Sequence, residues 1–309
     1  MNPYTHCGFF EFFMILFGRL AVWVGGGSIH WASDEIQLAV LTLCAVGCGI
    51  IAPFVVLKKM TMFANALSHT SLVGVIGAFL ISSLFFQTHF ADPSILLLGA
   101  FISALLTAGF IHSVGRSFQL QEDAAIGLVF TTLFAVGVIL VNIFTRNSHI
   151  STEAVMGNPD ALQPSDLKLA LAVTLLNAGS IYLLYRPLTA AAFDEAFAQS
   201  VGIRSSLCRF IILLLTSITA ISAFRAIGVV VVLALLVGPY LIARLFSHRL
   251  ERLIFLAPAI GVVCCAIGVA LSRTILSYTS IALSTGGILT AVIAVLFLKL
   301  VSRSTHVVK

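Results

Sequence analysis

The chain has 309 residues, of which 60% are hydrophobic and only 9% are charged. Because about a quarter of the residues in a soluble globular domain are charged, this composition excludes a soluble enzyme or binding module and predicts a polytopic membrane protein. The formal net charge of +5 does not indicate nucleic-acid binding, since the lysines and arginines fall at the ends of apolar segments, where positive charge sets membrane orientation.

The first 34 residues differ from the rest of the chain. Residues 9–24 are apolar but are interrupted by Glu11 and Arg19, and they lack the basic start and the small-residue cleavage site of a signal peptide. We expect an additional span or an interfacial helix that ends at the glycines of residues 25–27. The predicted organisation is an N-terminal extension (1–34), one transmembrane domain (35–303) and a cytoplasmic tail (304–309).

Nine apolar segments follow along the chain. A membrane helix needs roughly 20 apolar residues, and runs of about this length occur at 36–57, 67–86, 95–114, 124–144, 167–185, 207–224, 227–246, 253–271 and 288–300. The last run is short and is expected to begin nearer Ile281. The sequence therefore predicts an all-α fold with about eight to ten transmembrane helices, depending on whether residues 9–24 also cross.

The basic residues divide unequally between the two ends of these segments. When the loop with Lys58 and Lys59 is placed in the cytoplasm, twelve of the seventeen lysines and arginines fall on that side and Arg19 belongs to neither side. The four on the other side are Arg146, Lys168, Arg225 and Arg273. This positive-inside bias predicts a cytoplasmic C-terminus.

Residues 58–77 place polar groups at the start of a span. Asn65 and His69 are four residues apart, so on a helix their amide and imidazole point to one side, and Ser68 stands beside them. Polar groups at the edge of hydrocarbon are costly without partners, which indicates a polar species that crosses the membrane. The alternatives are a His69 satisfied by a nearby carbonyl group and an Asn65 that caps a helix beginning near Ala66.

The chain carries no chemistry for energy coupling. It has no Gly-rich phosphate loop that ends in Lys-Ser/Thr and no His-Glu pair of a metalloprotease. The centres of its spans are almost free of the ionisable residues that a proton- or sodium-coupled transporter needs. We therefore expect no enzyme activity in this chain, and a pump would need a separate ATP-hydrolysing subunit.

The connection at residues 187–206 is long and has helical apolar spacing. Asp194 is a plausible N-cap of a short helix, and Gly202 is a typical stop. We predict one or two short helices here, on the same side of the membrane as Lys58.

Four blocks carry a family resemblance. They are residues 58–77, with Lys58-Lys59 followed by Asn65-Ala66-Leu67-Ser68-His69; Glu122-Asp123-Ala124-Ala125-Ile126-Gly127-Leu128-Val129-Phe130-Thr131; Tyr185-Arg186-Pro187-Leu188 followed by Phe193-Asp194-Glu195-Ala196-Phe197-Ala198; and residues 226–239 with 243–245. In this order they resemble the integral-membrane permeases of manganese, zinc and iron ABC importers, over roughly residues 36–300. The resemblance implies that residues 35–303 form a permease domain in a bacterial cytoplasmic (inner) membrane.

The resemblance also implies a transported ion. His69 would offer an imidazole nitrogen, and Asn65 and Ser68 would offer oxygens, a set that suits Zn²⁺, Mn²⁺ and Fe²⁺ without choosing among them. The metal is then cargo, and no permanently bound cofactor is expected.

The third block implies the partners. It resembles the cytoplasmic loop that docks the ATPase, and the residues expected to couple ATP hydrolysis to transport are Asp194, Glu195, Phe197, Gly202 and Arg204. Besides ABC ATPase subunits, the expected partners are an extracytoplasmic metal-binding protein and membrane lipid, but no nucleic acid.

One position departs from the family pattern. The family usually has Asp where this chain has Asn65, and a neutral carbonyl oxygen is a weaker ligand for a divalent transition metal than a carboxylate. Some members of the family work as pairs of different permeases, of which one has the Asn-Ala-Leu-Ser-His form. We therefore expect a second permease chain in a heterodimer rather than a homodimer.

Two rival functions stay open. A permease for a metal chelate, such as an iron–siderophore or cobalamin complex, would need a wide pore without ligating side chains, so its transport would survive replacement of His69 by Ala. A membrane-embedded enzyme or scaffold would not retain ATPase subunits, or would retain them regardless of damage to residues 194–202.

Overall fold

The computed structural model describes residues 3–4, 7–24, 31–86, 93–144, 159–160, 162–279 and 283–307. Within these residues the chain forms helices and no strand. The helices are α1 (Phe9–Val24), α2 (Ser33–Leu57), α3 (Thr61–Phe86), α4 (Pro93–Ser117), α5 (Glu122–Phe144), α6 (Pro164–Phe193), α7 (Glu195–Ser200), α8 (Ser205–Ile227), α9 (Val229–Phe246), α10 (Leu250–Thr279) and α11 (Thr285–Val307).

Nine of these described helices, α2–α6 and α8–α11, are long and apolar enough to cross a membrane. Hydrocarbon cannot hydrogen-bond to peptide groups, so apolar runs of this length form helices, whose hydrogen bonds lie within the segment. The predicted all-α fold and number of spans are confirmed.

Successive spans run in opposite directions, and charged residues that form ion pairs lie at the two ends of the bundle. We call the end that carries Lys58 and Arg209 the basic end. At the opposite end Arg225 pairs with Asp166 at 3.8 Å, and Arg273 pairs with Asp34.

Helix α2 is the centre of the bundle and packs against α6, α8, α9 and α10. Its crossing with α10 is close, since a Cβ placed on Gly49 would lie 2.8 Å from the Cα of Pro258. Polar side chains link the other neighbours: the buried Asn177 of α6 donates to the Thr219 hydroxyl of α8 at 2.7 Å. Small residues and interhelical hydrogen bonds of this kind hold membrane helices together.

Helix α3 is positioned by an equally close crossing with α4. A Cβ on Gly74 would lie 2.1 Å from the carbonyl oxygen of Gly99. In the same way, a Cβ on Gly99 would lie 2.4 Å from the carbonyl oxygen of Gly74. Only glycine fits at this contact.

The structure corrects two sequence-based predictions of helix boundaries. Helix α3 begins at Thr61, so Asn65 lies inside the helix and does not cap it. Helix α6 continues through Pro187 to Phe193, where the sequence predicted a loop from residue 187. The backbone at Leu184 is non-helical (φ −104°, ψ 15°), and this kink accommodates the proline.

Helix α1 is anchored at the end opposite the basic end. The Tyr4 hydroxyl donates to Glu35 at 2.9 Å, and the Arg19 guanidinium pairs with the same carboxylate at 2.5 Å. A Cβ on Gly8 would lie 3.9 Å from the Tyr278 hydroxyl at the end of α10. The residues just before α1 and Arg19 in its second half therefore all lie at one end of the bundle.

Candidate functional site

Asn65 and His69 lie one turn apart on the same side of α3, and both side chains are exposed. The side chains of Ala66 and Leu67, which lie between them in the chain, are buried against the bundle. The sequence-based expectation that the amide and the imidazole share a face agrees with this geometry.

An aromatic wall from α5 flanks the imidazole. The ring centroid of His69 lies 5.4 Å from that of Phe130 and 5.2 Å from that of Phe134, and the two phenylalanine rings stack at 5.9 Å. The second family block contains Phe130, but the sequence indicated no role for it, and Phe134 was not identified from the sequence. Their spacing of four residues was the available signal, because it puts both rings on one helix face.

Ser68 is placed differently from the other two predicted ligands. Its side chain is buried, and its hydroxyl donates to the backbone carbonyl oxygen of Asn65 at 2.6 Å. The structure thus brings Asn65 and His69 together on the exposed face, but it does not bring the Ser68 hydroxyl to that face. Across the part of the chain described, no group of three or more His, Cys, Asp or Glu residues could hold a metal ion.

The segment predicted to couple to an ATPase forms a short capped helix. The Asp194 carboxylate accepts hydrogen bonds from the backbone N–H groups of Ala196 at 2.9 Å and Phe197 at 3.0 Å, which makes it the N-cap of α7. Gly202 follows the helix with φ +84°, a left-handed backbone that favours glycine. Both local sequence signals are therefore realised.

Glu195 turns toward the bundle. Its carboxylate accepts from Lys58, which ends α2, at 2.5 Å and from Arg209 of α8 at 3.3 Å. Burial raises the pKa of this carboxyl, but the hydrogen bond and charge of Lys58, and then those of Arg209, outweigh burial and leave the pKa below its ordinary value. Sequence reasoning named Glu195 but not Lys58 as its partner.

The outward face of this segment is apolar. Phe193, Phe197 and Val201 are all exposed. Phe197 and Val201 lie one helical turn apart, since the Val201 N–H donates to the Phe197 carbonyl oxygen at 3.2 Å, and Phe193 precedes them at the end of α6. We call these three residues the basic-end patch. Arg204 is exposed beside it. An exposed apolar patch at a charged end of a protein typically marks a binding surface.

The comparisons with known proteins agree on one family. The family model described as the ABC 3 transport family matches residues 34–304. A "Probable metal transport system membrane protein" of Chlamydia muridarum is 38% identical over 301 residues, covering 96% of this chain and 93% of that protein. The "Manganese transport system membrane protein MntD" of Bacillus subtilis is 35% identical over 237 residues, covering 72% of this chain and 78% of that protein.

A solved structure shares the fold. "PsaBC from Streptococcus pneumoniae in complex with Fab" superposes with a TM-score of 0.68 and 23% identity, covering 86% of this chain and 90% of that chain. The family resemblance carried by the four sequence blocks is confirmed, and the chain belongs to the ABC 3 transport family.

Proposed function

We propose that the chain is the permease subunit of an ATP-driven importer of a divalent transition-metal ion, Mn²⁺, Zn²⁺ or Fe²⁺. The observation that carries the proposal is the Asn65–His69 pair, exposed one turn apart on a membrane-spanning helix, with aromatic rings against the imidazole. Relatives named for manganese transport support a metal ion as cargo.

In this proposal the pair binds the ion in passage. An extracytoplasmic binding protein delivers the ion, the imidazole of His69 supplies a nitrogen and the amide of Asn65 supplies an oxygen. Two neutral ligands hold the ion weakly, which suits a site that must also release it. Phe130 and Phe134 restrict the imidazole ring and keep one side of it dry.

The remaining ligands come from a second permease chain. A transition-metal ion takes more ligands than one nitrogen and one oxygen, and the pair lies on an exposed face of this chain. A heterodimer whose partner has aspartate at the matching position would add the negative charge that Asn65 lacks.

The basic-end patch docks a separate ATPase subunit. An apolar helix face presented by a short capped helix suits helix-in-groove recognition. Behind the patch, Glu195 holds Lys58, which lies three residues before α3 begins. Movement of α7 is thereby passed to the helix that bears His69. This assignment puts the basic end and the C-terminus in the cytoplasm of a bacterial cell, with the chain in its inner membrane.

Uptake of Mn²⁺, Zn²⁺ and Fe²⁺ by cells limited for each metal tests the proposal. His69→Ala should abolish uptake of the cargo metal, whereas Ile81→Ala, a control for an exposed side chain on the same helix away from the pair, should leave uptake unchanged. If the His69→Ala variant transports the metal fully, the cargo is not a free metal ion bound by His69. That result would favour a metal chelate as the cargo.

Co-purification tests the docking surface. Phe197→Asp should release the ATPase subunits, and Leu207→Asp, which changes an exposed residue outside the patch, should retain them. Retention of the ATPase by both variants, or by neither, would refute the assignment of the patch.

A further inference from the structure

A second candidate site lies on the side of the bundle, away from Asn65 and His69. It is a groove of about 1040 Å³ between α6 and α10, with α2 as its floor. Its lining is mostly apolar and comes from all three helices: Val46, Ile50, Tyr182, Ile254, Phe255 and Pro258. These helices are long and apolar enough to span the membrane, so the open side of the groove faces the hydrocarbon wherever no other subunit covers it.

The groove is about as long as one leaflet of the bilayer is thick, and it begins at one end of the bundle. Its lining runs from Ala178 to Pro187 on α6, about 13 Å at 1.5 Å per residue. On α10 it runs from Glu251 to Pro258, starting one residue inside the helix at the basic end. Half of the hydrocarbon core is about 15 Å, so the groove has the reach of acyl chains that enter from the basic end.

Two opposite charges stand at the basic end of the groove. Arg186 and Glu251 both line it, and both residues are exposed. Neither side chain has a hydrogen bond or an ion pair with any residue that the structure describes. An unpaired guanidinium and an unpaired carboxylate at the same end of an apolar groove complement a zwitterion, with phosphate on the arginine and a primary ammonium on the glutamate.

We propose that the groove between α6 and α10 binds a phospholipid with a zwitterionic headgroup and a primary ammonium, that is, a phosphatidylethanolamine. Its phosphate pairs with Arg186, its ammonium donates to Glu251, and its acyl chains cover Val46 and Ile50. The lipid thereby fills the space beside α6, the helix that leads into α7. This site does not depend on which cargo the chain transports.

Native mass spectrometry of the full-length chain, purified with the subunits it retains, tests the lipid. The probes are phosphatidylethanolamine, phosphatidylcholine and phosphatidylglycerol with identical acyl chains. Phosphatidylethanolamine should bind best, because choline cannot donate a hydrogen bond and glycerol carries no positive charge.

Three variants test the residues of the headgroup site. Arg186→Ala should weaken the binding of phosphatidylethanolamine by about fivefold, the upper range for an exposed ion pair. Glu251→Gln should remove the preference over phosphatidylglycerol. Arg244→Ala, an exposed arginine outside the groove, should change nothing.

A steric pair of variants makes the test independent of charge. Ala178→Trp fills the groove and should abolish binding, whereas Leu175→Trp, at an exposed position one turn away on α6, should not. Equal binding of the three lipids by the unaltered chain would overturn the headgroup assignment. If the Ala178→Trp variant still binds the lipid, the lipid does not bind in the groove. Absence of bound lipid from the unaltered complex would overturn the proposal.

Discussion

The link between Glu195 and Lys58 makes the sharpest prediction, because it joins two segments that the chain separates by 137 residues. Glu195→Gln keeps the shape of the side chain and removes its charge. Lys58 is 8% exposed but Glu195 is 40% exposed, so solvent screens the pair. Hydrogen bonds to charged groups contribute 1.5–3 kcal/mol and exposed ion pairs about 0.2–1 kcal/mol, and we take about 1 kcal/mol here. That energy corresponds to about a fivefold change in the equilibrium between attached and detached α7.

The assay is a double-mutant cycle on the reconstituted complex, read as metal transported per ATP hydrolysed. Lys58→Gln and Glu195→Gln should each lower this ratio, and the double variant should do little further harm, since the single changes break the same link. The charge exchange Lys58→Glu with Glu195→Lys should restore it in part only, because Arg209 then faces a like charge. If the effect of the double variant equals the sum of the two single effects, within about 0.3–0.5 kcal/mol, the two residues are not coupled and the link is refuted.

The pH dependence of the cycle has a definite sign. The pKa of Glu195 is lowered in the folded chain, so the link is fully present above the ordinary value of a glutamate, about 4.3. It is lost only as pH falls through the lowered folded value. The coupling measured in the cycle should therefore be the same between about pH 6 and pH 8, and a decline across that range would show that another group controls it.

Two further predictions concern the bundle and its N-terminal helix. Gly74→Ala should destabilise the purified chain by about 1–3 kcal/mol or prevent its assembly, because the new methyl group meets the backbone of Gly99; Gly77→Ala, with open space around it, should leave the melting temperature unchanged. We also expect α1 to lie in the membrane interface, so Phe17→Trp, in a background without the two native tryptophans, should be quenched best by lipids brominated near the headgroup. Val263→Trp, near the middle of α10 and also exposed, should be quenched best by deep bromines, and equal depths would mean that α1 crosses the membrane.

Local signals in the sequence were sufficient for several features of the site. Asp194 and Gly202 predicted the ends of α7 because an N-cap and a left-handed stop depend only on neighbouring backbone. The shared face of Asn65 and His69 followed from helical periodicity alone. Pro187 misled the prediction of where α6 ends, because a kink three residues earlier absorbs the proline, and nothing local announces that kink.

What the sequence determined by itself was the class of protein: long apolar runs in water-free hydrocarbon must form helices, and the basic residues at their ends predict an orientation. Only the tertiary structure decided which side of each helix is covered. It turned Ser68 into the bundle while leaving His69 exposed, set Phe130 and Phe134 against the imidazole, and paired Glu195 with Lys58. These outcomes depend on helix crossings such as Gly74 on Gly99, which join residues far apart in the chain and leave no periodic trace in either segment.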